Sequence, residues 1–241
     1  MPNTIKFLFW KIGVDIKRYN IIQNSTARFL KILNDFKINL VFDIGANTGQ
    51  FATELRKIGY DGEIISFEPL SEPYSILQKS ATKDHLWKIA ERAAIGQEDG
   101  EVEINISTTS TSSSILKMLD SHIIAAPNTT TIGKEIVPLK KLDSISYNYI
   151  HNTSKLLLKI DTQGYEEQVL KGATETIKKT SVLQVEISLI ELYQGQKLFV
   201  EMIQIIEEMG FELWGIEPAF INPINGRVLQ VDAIFCRSLV P

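Results

Sequence analysis

An α/β domain on a mostly parallel, Rossmann-like sheet is the architecture this 241-residue chain encodes, and three observations lead there. Short apolar runs alternate with helical stretches from residue 40 onward; strands separated by helices make βαβ units, and βαβ units make parallel sheets. The first run ends in a glycine turn that opens a helix, Asp43-Ile44-Gly45-Ala46-Asn47-Thr48-Gly49. The last two runs are joined through Asn222-Pro223-Ile224-Asn225-Gly226, a turn that suits a hairpin and makes the final strand antiparallel.

Residues 4–20 place Ile5, Phe9, Ile12 and Ile16 at helical spacing among Lys6, Lys11, Lys17 and Arg18. This predicts an amphipathic helix that packs on the main domain, closes over a ligand or meets a membrane surface. A second helix is expected at 25–37, so that residues 1–39 form an N-terminal helical cap segment and residues 40–241 the main domain. Strands are expected at Leu40–Ile44, Glu63–Phe67, Trp87–Ile95, Leu156–Ile160, Val182–Ile187, Phe211–Ile216 and Gln230–Cys236, and Gly59 ends the helix after the first of them. Gly100–Ser107, with Val102, Ile104 and Ile106 alternating, reads as an extra edge strand. Residues 107–133, rich in Ser and Thr and weak in periodicity, read as a loop insertion, functional or mobile.

Composition narrows the function classes. Hydrophobic residues at 44% and charged ones at 22% are ordinary for a globular protein. A formal net charge of −4 supplies no basic field to neutralise phosphates, which argues against nucleic acid as a partner. No run approaches the ~18 apolar residues of a membrane span, and Phe7-Leu8-Phe9-Trp10 is too short for a secretory signal. Cys236 is the only cysteine and sits in an apolar run, where a buried, inert thiol and a reducing, cytoplasmic setting are expected. Zinc-ligand spacing, the G-x-S-x-G elbow and the phosphate loop of NTPases are all missing, which sets hydrolase and NTPase readings aside.

The glycine turn carries the sharpest signal. Gly45 and Gly49 let the backbone turn tightly and a ligand come close, while Asn47 or Thr48 can cap the following helix, whose free N–H groups suit a carboxylate. A tight turn without a ligand is the plain alternative. Dinucleotide folds use G-x-G-x-x-G, whereas this turn is D-x-G-x-x-x-G. A carboxylate at Asp43 suits the α-ammonium of S-adenosylmethionine and would repel a pyrophosphate. Beyond it, Ile64-Ile65-Ser66-Phe67-Glu68-Pro69 ends a second strand on Glu68, whose two oxygens match two ribose hydroxyls, with Pro69 stopping the strand.

These residues resemble the FkbM-type methyltransferases. The resemblance runs from Val41 to Arg237 and is carried by VFDIGANTGQFATELR, IISFEP, Ala94-Ile95-Gly96, Ser112-Ser113-Ser114, LKIDTQGYEEQVLKGA, VEISLIELYQGQ and GRVLQVDAIFCR. It implies the class I methyltransferase fold: a three-layer α/β/α sandwich, with a seven-stranded, mostly parallel sheet whose last strand is antiparallel, here preceded by N-terminal helices. It also implies methyl transfer, commonly to a hydroxyl oxygen of a sugar, polyketide or other natural product. The cofactor-binding set expected on these grounds is Asp43, Gly45, Ala46, Asn47, Gly49, Glu68, Pro69 and Ala94.

Ligands of a parallel sheet lie beyond the carboxyl ends of its strands, so Lys155–Asp161 delivers Asp161 to the site, and Thr162-Gln163-Gly164 turns into a helix beginning near Tyr165. Asp161 is the candidate general base or the ligand of an optional divalent metal; a helix cap or a cofactor contact is the alternative. Lys159 shares a strand face with Asp161 and needs a carboxylate partner, for which Glu186 is the candidate, giving a catalytic set of Asp161, Glu186 and Lys159 or a purely structural pairing. His122 and His151, in loop-like stretches, are either bases or ordinary surface histidines. Serines 112–114 start a helix at Ile115 or line an acceptor pocket, and Glu166 favours its own helix N-terminus. The rival readings are an NAD-dependent oxidoreductase and a non-catalytic S-adenosylmethionine-binding partner protein. The expected partner is a hydroxylated small molecule or glycan acceptor, and a two-fold homodimer stays open.

Overall fold

The computed structural model describes residues 3–238, and a division between residues 37 and 38 separates two compact units. The first holds α1 (Asn3–Lys11) and α2 (Ser25–Asp35). α1 is much shorter than the helix expected over 4–20. Gly13 takes a left-handed φ of +77°, and the N–H groups of Ile12, Gly13 and Val14 turn back onto the carbonyls of Phe9 and Trp10, which closes the helix. α2 starts where Asn24 caps it, Oδ1 accepting from the Ala27 N–H at 2.9 Å. It stops short of Lys37, which is left-handed at φ +53°.

The second unit runs β1 (Leu40–Ile44), α3 (Gln50–Lys57), β2 (Glu63–Phe67), α4 (Ser71–Ala81), β3 (Trp87–Ile89), β4 (Ala94–Ile95), β5 (Gly100–Ser107), α5 (Asp120–Ala125) and β6 (Thr131–Lys140). It continues with α6 (Leu142–Ile145), β7 (Leu156–Ile160), α7 (Glu166–Lys171), α8 (Thr174–Lys179), β8 (Thr180–Ser188), α9 (Phe199–Glu208), β9 (Phe211–Ile221) and β10 (Val228–Arg237). Seven strands form one sheet in the order β3-β2-β1-β7-β8-β10-β9. The first five are parallel, and β10 runs antiparallel to both of its neighbours. The sheet is therefore the mostly parallel one expected, its last strand reversed.

Strand parity explains the layers. Phe42, Ile44, Ile65, Phe67, Leu158, Ile160, Leu183, Val185, Ala233 and Phe235 lie on one face and pack with Val169, Leu170, Ile177, Met202 and Ile206 of α7–α9 in a continuous core. The opposite face carries Asp43, Lys159 and Gln184 side by side in register on β1, β7 and β8. α3 covers it there, with the Phe51 ring 5.5 Å from Lys159 Nζ.

Two expectations are corrected. Trp87–Ile95 is not one strand: β3 joins the main sheet, and the chain then crosses to a three-stranded sheet of order β4-β6-β5. Arg92 anchors the crossing, donating to the Pro69 carbonyl at 2.8 Å and pairing with Glu135 on β6 at 2.6 Å. The stretch 107–133 is not a bare loop either. It holds a 3-10 turn at Ser110–Ser112, all of α5 and the start of β6, and Val137 and Leu139 of β6 close a second small core with Leu70, Ala94 and Ile104. The extra strand Gly100–Ser107 does form, at the edge of this smaller sheet. Among the described residues no helix is long and apolar enough to cross a membrane.

Candidate active site

The loops after β1, β2 and β7 open into a cavity of about 360 Å³. Of the residues expected to bind a cofactor, Gly45, Ala46, Asn47, Glu68, Pro69 and Ala94 line it, as do Lys159, Asp161 and Glu186; Asp43 and Gly49 do not. Asp43 is fully buried. Its Oδ1 faces Lys159 Nζ at 3.3 Å, and its Oδ2 accepts from Ser66 Oγ at 3.4 Å, Ser66 in turn accepting from the Trp87 indole N–H at 2.9 Å. Asp43 is thus a counter-ion inside the sheet and not a surface that a ligand ammonium meets. Burial pushes its carboxyl up and the Lys159 ammonium pulls it back.

The glycines also act differently from the expectation. Both are left-handed, at φ +78° and +93°, but the space they keep clear belongs to the protein. A Cβ on Gly45 would overlap the carbonyl oxygen of Asp161, and one on Gly49 would come within 2.6 Å of the Trp87 ring. Gly49 serves as N-cap of α3 with no side-chain cap. Neither Asn47 nor Thr48 supplies one, because the Asn47 amide bonds to Ser110 Oγ (3.0 Å) and its Oδ1 accepts from the Thr48 N–H (2.9 Å). The glycine turn is therefore locked against the β7 loop, which brings Asp161 beside it.

Glu68 is held from below. Oε2 accepts from the Asn47 N–H at 2.8 Å and Oε1 from the Leu70 N–H at 2.9 Å, so each oxygen keeps acceptor capacity. Burial raises its pKa to about 7, against the pull of those two backbone donors.

At the other end of the cavity the expected Lys159–Glu186 pair is corrected. Lys159 lies between Asp43 and Asp161, at 3.3 and 3.2 Å, because β7 is flanked by β1 on that side and its register partner on β8 is Gln184. Burial opposes its charge, but the two carboxylates outweigh burial and hold the ammonium protonated. Glu186 joins the set through Gln163 instead. The Gln163 amide nitrogen lies 2.8 Å from Asp161 Oδ1 and 2.6 Å from Glu186 Oε2, and Gln230 donates to the same Oε2 at 2.8 Å. Burial, then Asp161, raises the Glu186 carboxyl well above the usual range.

Gln163 is the main residue that sequence reasoning missed; only its place in a Thr-Gln-Gly turn at a strand end hinted at it. Two further polar residues lining the cavity, Gln184 and Asp232, were missed too. Glu166 does more than favour its helix: Oε1 accepts from the N–H groups of Thr162 and Gly164, at 2.9 and 3.0 Å, and so fixes the loop. Burial lifts its pKa to about 7.

His122 is neither in a loop nor on the surface. It is buried on α5, Nδ1 lies 3.1 Å from Thr129 Oγ1, and burial depresses its pKa. His151 is exposed and lines neither cavity. Ser113 and Ser114 line the first cavity and no helix starts at Ile115. Cys236 is buried and free. Among the described residues no group of three or more His, Cys, Asp or Glu is placed to hold a metal ion.

A second cavity, of about 660 Å³, opens beside the first. Thr111, Asp161, Gln163 and Glu186 line both. Its remaining wall comes from Thr109, Ser112, His122, Ala125–Thr129, Phe220, Ile221, Pro223 and Gln230.

A seven-stranded sheet with a reversed last strand, and a cavity over the carboxyl ends of its central strands, define a methyltransferase-type α/β fold. The methyltransferase FkbM domain matches residues 43–213, and the chain belongs to that family. Among solved structures, methyltransferase FkbM from Methylobacillus flagellatus KT aligns over 82% of this chain and 43% of its own, at 15% identity and a TM-score of 0.53. TehB from Haemophilus influenzae aligns over 88% and 62%, at 10% identity and a TM-score of 0.48. The chain thus spans less than two thirds of either structure's length. No curated protein matches it.

The family implies S-adenosylmethionine, and the residues present fit it. Four carboxylates, Glu68, Asp161, Glu186 and Asp232, line the cavity against one ammonium, Lys159, a balance that suits a sulfonium and an α-ammonium and opposes a pyrophosphate. Glu68 would take the ribose and Asp161 the amino-acid end, while Leu70, Ile95 and Ile104 supply an apolar slot for a flat base.

Proposed function

We propose that this chain transfers the methyl group of S-adenosylmethionine to a hydroxyl oxygen of a sugar, glycan or other natural product. The observation that carries the reading is the shared wall: donor-type and acceptor-type cavities meet at Thr111, Asp161, Gln163 and Glu186. A bound donor supplies an electrophilic methyl group; what the chain adds is alignment, exclusion of water and a place for the hydroxyl proton. Glu68 and the Gly45–Asn47 turn hold the donor. Lys159 pairs with Asp161 beside it at 3.2 Å, and Asp161 with Glu186 faces the acceptor.

The second cavity disfavours an anionic acceptor. Among the described residues its lining has no Lys or Arg, and beside Asp161 and Glu186 it offers threonine, serine, asparagine and glutamine side chains together with Phe220, Ile221 and Pro223. Titration calorimetry with S-adenosylhomocysteine and with NADH, followed by incubation with labelled methyl donor and fractionated host extract, tests the reading. Binding of the first ligand alone and base-stable label on a hydroxylated product are expected. NADH binding in its place, or label confined to nitrogen or carbon, defeats it.

A further inference from the structure

Two carboxylates share the wall between the cavities, and one amide joins them. The Gln163 side chain has two N–H protons, one directed at Asp161 Oδ1 and the other at Glu186 Oε2. Its carbonyl Oε1 lies 2.9 Å from the Tyr193 hydroxyl. Turned over, the amide would set its oxygen against two carboxyl groups and its nitrogen against the Tyr193 hydroxyl, which also lies 3.1 Å from the Ser112 carbonyl. The backbone is held just as firmly: Gln163 is left-handed at φ +55°, its carbonyl accepts from Ser114 Oγ at 2.7 Å, and the N–H groups on either side are tied to Glu166. A non-glycine residue in that region carries strain, and such strain collects where geometry matters for function.

The occupancy of the four oxygens is unequal. Asp161 Oδ1 takes the amide and Oδ2 takes Lys159 at 3.2 Å. Glu186 Oε2 takes both Gln163 and Gln230. Glu186 Oε1 is the one oxygen of the four with no hydrogen-bond or ion-pair partner among the described residues.

We propose that Gln163 is a positioning residue that clamps the two carboxylates together and, by filling Oε2, directs the acceptor's proton onto Oε1 of Glu186. The proposal rests on the methyl-transfer reading above and assigns the base within it to Glu186, with Asp161 as a fixed neighbour held by Gln163 and Lys159. The step balances. As the acceptor oxygen forms its bond to the methyl carbon, the carbon–sulfur bond of the sulfonium donor breaks with its electron pair going to sulfur, and the O–H proton passes to Oε1, to leave for water afterwards.

The groups facing Glu186 set its titration. Asp161 just after β7, Glu166 on α7 and Asp232 on β10 oppose its charge, as burial does, and Lys159 favours it. The two amide donors favour the ionised form as well. Removing one should make the base harder to ionise, so that activity is lost at a higher pH as the solution is acidified.

The test uses the full chain as wild type, Gln163→Gly and Glu186→Gln. Glycine accepts the φ of +55° freely, so the first variant removes the amide without straining the loop. S-adenosylhomocysteine binding, measured by calorimetry, should still be saturable in both, showing that the donor site remains formed. An infrared pH titration should show a buried carboxyl that disappears in Glu186→Gln and whose midpoint rises by about one pH unit in Gln163→Gly. The acid limb of kcat/KM on a confirmed acceptor should move in step, and Glu186→Gln should lose about 100-fold or more in kcat. An unmoved midpoint, or a Glu186→Gln enzyme with near-normal kcat, overturns the clamp. Failure of the wild type to bind S-adenosylhomocysteine would instead remove the methyl-transfer reading, and the clamp with it.

Discussion

Replacing Lys159 with methionine isolates the electrostatics beneath the site. Methionine keeps much of the stem and removes the ammonium, leaving Asp43, fully buried, without its counter-ion. At 3.3 Å the attraction between the two charges is about 5 kcal/mol for an effective dielectric constant near 20. Breaking a buried pair from one side costs about 3–5 kcal/mol, or roughly 6–20 °C in melting temperature for a chain of this size. Asp161 contributes less, since its side chain is 31% exposed and water can replace the lysine.

The cost should depend on pH in a definite direction. Without Lys159 the influences left on Asp43 are burial and Asp161, which raise its pKa, against Ser66, which lowers it. Its folded pKa then lies well above the unfolded value, so the folded state holds a proton that the unfolded state has lost. Stability therefore falls as pH rises through that interval, by up to about 1.4 kcal/mol per pH unit. Chemical denaturation of wild type, Lys159→Met, Asp43→Asn and the double variant, at neutral and mildly acidic pH, measures it. The double variant should recover most of the loss. A Lys159→Met protein within about 1 kcal/mol of wild type, or a penalty indifferent to pH, would refute the pairing and with it the structural role given to Asp43.

Other perturbations report on separate pieces of the site. Gly45→Ala should abolish S-adenosylhomocysteine binding and lower the melting temperature, because the added Cβ overlaps the Asp161 carbonyl at a left-handed φ; unchanged calorimetry would show that the turn yields. Glu68→Ala should weaken the same binding by about 10- to 100-fold, the worth of charge-assisted hydrogen bonds to two hydroxyls; intact affinity removes the ribose assignment. Gly172→Ala, at a position lining neither cavity, should destabilise without touching ligand stoichiometry, since its Cβ would overlap the Gly96 carbonyl; a melting curve like that of wild type contradicts it.

What could be read from residues alone follows burial. β1, β2 and β7 begin and end where their apolar runs do, and central parallel strands, covered on both faces, have no polar alternation to blur them. β6 escaped because Gly133 and Pro138 interrupt it and much of its length is exposed. The glycine turn after β1 and the carboxylate of Glu68 at the end of β2 were legible as residue types at a spacing. The partner of Lys159 was not, because it depends on which strand lies on which side of β7. Register puts Asp43 and Gln184 beside Lys159 and leaves Glu186 one step further on, level with Asp161. Nor does sequence reveal that Gln163 adopts φ +55°, the conformation from which its amide spans two carboxylates.

The carboxylates of this site are occupied before any ligand arrives. Glu68 rests on two backbone donors, Asp161 on Lys159 and Gln163, and Glu186 on Gln163 and Gln230. Burial and neighbouring acids raise the pKa of Glu68 and of Glu186, and the donors bound to them work against that rise. Donors supplied by strand ends and tied loops make the negative field a property of the fold, present without reorganisation when a cation binds. Two consequences can be separated. Changing a donor should alter the pH at which the site works more than its affinity, whereas changing an acceptor such as Glu68 should alter affinity more than pH dependence. A Gln163 variant that lost donor affinity while keeping its pH profile would mean that the field is made by the ligand and not by the sheet.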